Sequence, residues 1–594
     1  MNLSNKLNLI LSDYSKGNKA SAYKKFRKIY LQNNKDIKLR YNLAVMQQEL
    51  GLLDEAESNY ISLLKHSDET KYKINLYNLY ISKGFFQNAL DIINTIQSKN
   101  LSIIQVNEDR AYILYLIKKY EDSISQCYKI LEINGENINT LNTLGLCFLH
   151  LKKYDESNKV LLKALSLDSV NIKILNSLGR LSHELRDSEK AKIYFDKAIK
   201  LYPNNFETLN NIAGFYLEES RYNDAINFYK KAEKLKPNNS ILINNLAKTY
   251  ICINDLDEAE RHTKKAISIN KQNDEFKKTL SLILLKKYDF KNAWLFFDGR
   301  LGLSDFNKKN PALKLVQKKI PKKNILNKNS KILVIREQGI GDEILYGTMY
   351  YDLLNEFSNV VIECDERLIP LFKNSFKKHK DKFFKLGFHS SNINKINDFD
   401  YIIYAGSLGK YFRNDLNDFS IKPYLKKIED YKDLELDNII KKVDGLKIGI
   451  SWRSFKNRYT SEKSLSLESF KNIFKIKNSI IFNLQYGEVK EELNDFTKKQ
   501  NYKVITLKNL DLFNNFSGLA NLLINLDLFI TVSNSTAHLA SALGVKTILI
   551  KPENHASFHY WNYDDGKSPW YNSVNIISKE NLKNNKFVNK LIKL

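Results

Sequence analysis

The 594-residue sequence predicts a helical repeat solenoid followed by an α/β region made of two doubly wound halves. Small residues recur every 34 positions through the first 300. The recurrence stops after "KNAWLFFDGRLGL", and from Lys331 onward short β-branched runs alternate with glycine-bearing loops and helically spaced segments. The length is several times that of a typical domain, and 43% hydrophobic with 27% charged residues are the proportions of a folded chain.

In the repeat region one slot holds Ala22, Ala56, Ala89, Ser123, Ser157, Ala191, Ala225, Ala259 and Ala293, spaced by 34 except for one step of 33. A second slot, twelve residues earlier, reads Ala44, Ala111, Gly145, Gly179, Ala213 and Ala247. A third, seven residues after the first, reads Ala164, Ala198, Ala232 and Ala266. Two helices approach closely only where side chains are small, so a recurring helix pair needs small residues at the same places each time. Leu144, Leu178, Ile212 and Leu246 precede the second slot and fill the space between helices. Pro203 and Pro237, each followed by "NN", punctuate the turns. The array resembles the tetratricopeptide repeat family, with "LNNIAGFYLEESRYNDAINFYKKAEKLKPNN" as its clearest copy. That resemblance implies a superhelix of about nine helix pairs whose concave face takes a peptide or protein. Asn210, Asn211, Asn244 and Asn245 either contact a backbone there or are ordinary solvated positions.

The expected domains are the array over 1–300, a polar, basic connector over 301–329 with Pro311 and Pro321, a first α/β half over 330–440 and a second over 441–594. Strands are expected at "KILVIRE", "VVIECD" and "YIIYAG". A second series is expected at "LKIGISW", "SIIFNLQ", "KVITL", "LDLFITV" and "KTILIK". The span "KKIEDYKDLELDNIIKKVDG" suits a hinge or helical crossover.

Ligands of such sheets sit beyond the carboxyl ends of strands, where four loops hold the unusual residues. In "QGIGDE", Gly339 and Gly341 let a backbone approach a ligand, and Asp342 either caps the following helix or does chemistry. In "SWRSFKNRYTSEKSLS", Arg453, Lys456, Arg458 and Lys463 are either a pyrophosphate site or a solvated basic loop. In "LQYGE", Gln485, Gly487 and Glu488 offer hydrogen bonds to a base or ribose. In "TVSNSTAHLASALG", Ser533, Asn534, Ser535 and Thr536 can cap a helix and present its free N–H groups to a phosphate; His538 lies one turn inside.

The formal charge of +26 raises nucleic acid as a partner, but the lysines are scattered among Asn and Ile rather than blocked in a tail, which favours a solvated surface and no nucleic acid. Cys127, Cys147, Cys252 and Cys364 form no C-x-x-C pair, and three fall at helical repeat positions. Buried thiols in a reducing compartment are therefore expected. With no run of 18 apolar residues and no cleavage site after "LNLIL", the expectation is a cytoplasmic chain without a transmembrane segment.

Taken together, "REQGIGDEILYG", "ISWRSFKNRYTSEKSLSLESF", "LQYGE", "DLFITVSNSTAHLASALGVKTILI", "HYWNYDDGKSPWYNSVNII" and the repeat-end piece "DFKNAWLFFDGR" resemble the heptosyltransferase-like glycosyltransferases of family 9. The resemblance is strongest to the bacterial branch that joins tetratricopeptide repeats to a GT-B domain. It implies a GT-B fold of two Rossmann-like halves, transfer of a sugar from a nucleotide-sugar donor with inversion, and neither metal nor other cofactor. It implies Asp342 as general base, Arg453, Lys456 and Arg458 on the pyrophosphate, Ser535, Thr536 and His538 in the donor-phosphate loop, and Glu488 at the nucleoside. This chain departs from the pattern at Ser533, where many relatives carry Asp, and at Ser541 or Ala542, where a glycine is common. Joining a peptide-binding solenoid to a sugar transferase, as in the similarly organised O-GlcNAc transferase, points to a protein Ser or Thr acceptor such as flagellin or another surface protein. The alternatives are a non-catalytic scaffold with a degenerate transferase domain and a transferase for lipopolysaccharide-type glycans.

Overall fold

The computed structural model describes residues 3–96, 103–310, 313–321, 326–419, 422–454, 463–500, 502–551, 559–561 and 566–584. The chain forms two compact units, Met1–Phe215 and Tyr216–Leu594.

In the first unit, helices follow one another in pairs, from Leu3–Ser15 with Lys19–Gln32 to Ile172–Glu184 with Ser188–Leu201. The small slots are where paired helices touch. Ser123 Oγ donates to the Ala111 carbonyl at 2.7 Å and Ser157 Oγ to that of Gly145 at 2.8 Å, each joining the first slot to the second. A Cβ on Gly145 would lie 2.6 Å from Leu161 and one on Gly179 2.6 Å from Phe195, so those glycines make room for a neighbour's side chain. Asn137 and Asn171 cap the first helix of their pairs through their side-chain oxygens. The same capping position continues at Asn205, the second Asn after Pro203, whose Oδ1 accepts from the Thr208 N–H at 2.9 Å. Cys127 and Cys147 are buried thiols, as expected, and burial pushes them up to about 12 and about 11.

The helix pairs continue into the second unit, and the last, Asp274–Lys286 with Phe290–Phe297, lies in the same apolar core as the α/β region. The expected boundary at residue 300 marks a change of element type, but compactness divides the chain earlier. The physical reason is that Leu280, Leu284, Leu285, Phe290, Trp294 and Phe297 are buried with Ile332, Ile344 and Leu345.

Two parallel sheets follow. The first is ordered β3-β2-β1-β4, with β1 Ile332–Ile335, β2 Val360–Cys364, β3 Phe383–Lys385 and β4 Tyr401–Tyr404. The second is ordered β10-β9-β8-β5-β6-β7, with β5 Leu446–Ser451, β6 Ser479–Asn483, β7 Val504–Ile505, β8 Leu528–Val532, β9 Thr547–Ile550 and β10 Val574–Ile577. All pairings are parallel, which requires a crossover between strands and explains the near-continuous burial of β1, β8 and β9. β3 and β10 are additional to the strands expected from sequence. Within the expected connector, short helical turns at Ser304–Lys309 and Leu313–Val316 place Phe306 and Val316 against Leu333, Ile335 and Ile402. The span expected as a hinge or helical crossover holds the helix Leu434–Lys442. No helix among the described residues is long and apolar enough to cross a membrane.

Candidate functional site

In each sheet the strand order reverses at one place, between β1 and β4 and between β5 and β8, and ligands of open α/β sheets sit beyond the strand ends at such a reversal. At the first reversal Glu337, just beyond β1, accepts the Gly406 N–H beyond β4 at 2.6 Å. At the second, Asn534 Nδ2 beyond β8 donates to Ser451 Oγ at the end of β5 at 2.9 Å. The helices leaving β1 and β8, Ile340–Gly347 and Ser535–Ala542, pack on each other at their first turns. A Cβ on Gly341 would stand 3.0 Å from His538 Cδ2 and 3.5 Å from Ser535 Cα, so this glycine sets the approach of the two helix starts.

Asp342 sits in that seam, partly exposed. Its Oδ2 accepts the Gly339 N–H at 3.2 Å, so the capping role is real, while Oδ1 faces the Tyr560 hydroxyl at 3.5 Å. Burial raises its pKa to about 6, with the Glu337 charge adding to the rise and the Gly339 N–H, Lys463 and Tyr560 opposing it. Gln338 adopts a left-handed φ of 61° just before Gly339, a conformation costing a non-glycine residue about 1 kcal/mol.

Glu337 is held by Arg300 of the "DGR" piece. Nε and Nη2 bond the two carboxylate oxygens at 2.8 and 2.7 Å, and Nη2 also reaches Ser407 Oγ at 2.8 Å. Asp298 in turn accepts from Ser407 Oγ at 2.5 Å and Lys410 Nζ at 3.0 Å. The end of the repeat array is thereby wired to the residue five before Asp342.

On the opposite side, His538 is buried and its Nδ1 lies 3.1 Å from the Tyr571 hydroxyl, among the rings of Tyr560, Trp561 and Tyr571. Burial, with Lys463 nearby, depresses it to about 3, so it is a neutral imidazole at pH 7. Lys463 is itself buried, and its charge acts on both Asp342 and His538.

The remaining sequence-derived candidates fall into four groups. Ser535 is partly exposed at the start of its helix and Thr536 is buried behind it. Asn534 and Gln485 are spent within the protein. Asn534 Oδ1 caps through the Ala537 N–H at 2.9 Å. Gln485 Oε1 accepts from Ser451 Oγ and from the N–H groups of Trp452 and Arg453, and its Nε2 donates to the Arg453 and Tyr486 carbonyls. Its amide therefore fixes the β5 and β6 loops rather than reaching outward. Arg453 pairs with Glu492 at 2.9 Å, while Glu488 is exposed next to Gly487. Lys456 and Arg458 lie outside the described residues. Lys463, a candidate of the basic loop, is buried in the seam rather than solvated. Tyr560, Glu337 and Arg300 complete the seam but were not assigned roles from sequence, although "HYW", "REQG" and "DGR" all lie within motifs quoted above.

Comparison with known proteins identifies the repeats. Models of the tetratricopeptide repeat match residues 138–171 and 172–205, 194–227, and 216–283. The chain carries tetratricopeptide repeats over residues 138–283. Among curated proteins, Protein FlbA of Caulobacter vibrioides is 23% identical over 268 residues, covering 42% of this chain and 43% of that protein, so less than half of that relative's length is matched. Among solved structures, a tetratricopeptide repeat protein from Parabacteroides merdae is 19% identical, covering 41% of this chain and 98% of its own, with a TM-score of 0.38. The pilF structure of Pseudomonas aeruginosa is 22% identical, covering 27% of this chain and 74% of its own, with a TM-score of 0.26.

Proposed function

We propose that the chain is a metal-independent glycosyltransferase of GT-B type that moves a sugar from a nucleotide donor to an acceptor, and that the acceptor is a protein Ser or Thr presented by the repeat array. The observation that carries this reading is Asp342: a partly exposed carboxyl at a helix start, raised to about 6, facing Tyr560 and the first turn of Ser535–Ala542. A carboxyl of that pKa takes a proton from a hydroxyl near neutral pH. Lys463 and the N–H groups of Ser535 and Thr536 supply positive potential for a departing diphosphate, in the absence of any cationic charge on His538. The reversals of strand order lie where open α/β sheets take ligands, which supports a donor and an acceptor site there. The protein acceptor rests on one chain joining a tetratricopeptide array to this region.

A second reading, a repeat scaffold with a silent α/β region, is favoured by the internal engagement of Asn534, Gln485 and Arg453 and by Ser533. A thermal-shift panel of UDP-, ADP-, GDP- and CMP-linked sugars separates the two. Stabilisation by one donor class, followed by transfer to peptide that Asp342→Asn lowers by roughly 10²–10⁴-fold, supports the enzyme. No stabilisation by any donor supports the scaffold, and transfer to a lipid-linked glycan in place of peptide moves the acceptor to that class.

A further inference from the structure

β3 is an edge strand, and the stretch around it, residues 373–395, holds seven lysines and a single acidic residue, Asp381. Its net charge of +6 compares with about +1 for an average stretch of that length in a chain of +26. Lys377, Lys378, Lys380 and Lys385 are exposed. Within the same stretch three large apolar side chains face solvent: Leu386 is 48% exposed, Phe388 41% and Ile393 49%.

These apolar tips are held out by a fixed loop. The buried Glu363 on β2 uses its carboxylate to accept from the Gly387 N–H at 3.0 Å, the His389 N–H at 2.5 Å, and the Ser390 N–H at 2.9 Å and Oγ at 2.6 Å. Phe388 stacks on Phe384 at 5.0 Å, and Lys395 Nζ lies 4.0 Å from the Phe388 ring centre while donating to its carbonyl at 3.2 Å. Lys385 on the edge strand is explained by protection against strand pairing, whereas Lys377, Lys378 and Lys380 lie in the helical turn Lys377–Lys382 before it. That purpose would not place Leu, Phe and Ile in solvent beside them, since exposed apolar tips promote the association that the lysines oppose.

We infer that the edge formed by Lys377–Lys385 and the Leu386–Ile393 loop docks on an anionic lipid surface, with Leu386, Phe388 and Ile393 entering the headgroup boundary and the lysines lying against the lipid charges. Apolar insertion combined with a basic rim supplies the two weak signals that together anchor a chain reversibly. The inference is independent of the sugar-transfer reading.

The test is co-sedimentation of the full chain with vesicles of phosphatidylglycerol and phosphatidylcholine, or of phosphatidylcholine alone. Binding is expected to the anionic vesicles only, and to weaken with salt. Lys378→Gln/Lys380→Gln/Lys385→Gln should lose about fivefold per lysine. Leu386→Ser/Ile393→Ser should release the chain at equal net charge; both side chains, like the three lysines, are exposed, and Phe388, whose ring packs on Phe384, is left in place. Wild-type protein that stays in the supernatant with anionic vesicles overturns the inference. So does partitioning of the apolar variant equal to wild type, and so does retention on an immobilised acidic polypeptide without vesicle binding.

Discussion

Asp342 sets the strongest expectation at the scale of single residues. Its carboxyl is raised from an ordinary 3.8 to about 6 in the fold, so the folded state holds a proton that the unfolded state gives up between those values. Stability contributed by this group is therefore present at low pH and lost as pH rises from about 4 to about 6. Asp342→Asn removes the penalty, and a rise of up to about 3 kcal/mol at pH 7 is expected in urea unfolding. The same variant should lower transfer by roughly 10²–10⁴-fold, and wild-type kcat/KM should climb with pH and level off above about 6, because the base must be deprotonated. Arg300 gives the opposite sign. Arg300→Met leaves Glu337 buried and unpaired, with an expected loss of about 3–5 kcal/mol, and adding Glu337→Gln should recover most of it in a double-mutant cycle.

At the scale of elements, the repeat turns share a backbone feature. Lys118, Lys152, Arg186, Ser220, Asn254 and Tyr288, each 34 residues apart, all have a φ near +60°, and Gly84 holds the preceding position at 77°. The turn within each pair demands a left-handed residue, and most repeats fill it with a side chain that pays about 1 kcal/mol for the conformation. Lys152→Gly should therefore stabilise the first unit by roughly 0.5–1 kcal/mol in thermal unfolding, net of glycine's greater unfolded-state entropy. Gly179→Ala should do the reverse, by about 1–3 kcal/mol, because the new methyl would overlap Phe195.

For the whole molecule, the last helix pair belongs to the α/β core as well as to the array. A fragment of residues 301–594 would expose Leu280's partners and lose Phe290, Trp294 and Phe297. Removal of about six buried side chains at roughly 1.5–3 kcal/mol each is comparable with the total stability of a domain. That fragment should fail to give a cooperative melt, whereas residues 216–594 should unfold as one unit. The repeat period, the small-residue slots and eight of the ten strands were legible because each is a local pattern: 34-residue spacing, helix contact and β-branched runs all lie along the chain. β3 and β10 were not, since "FFK" and "VNII" are short and carry no distinguishing alternation. The sequence by itself determined which residues could do chemistry, by placing Asp342 after a strand and the Ser533–Thr536 run before a helix. Only the tertiary structure decided which of them are free to do it. Gln485 and Asn534 are engaged by residues distant in sequence, His538 is neutralised by burial, and Lys463 and Tyr560 arrive at Asp342 from two other segments, because hydrogen-bond satisfaction and desolvation are properties of packed neighbours rather than of spacing.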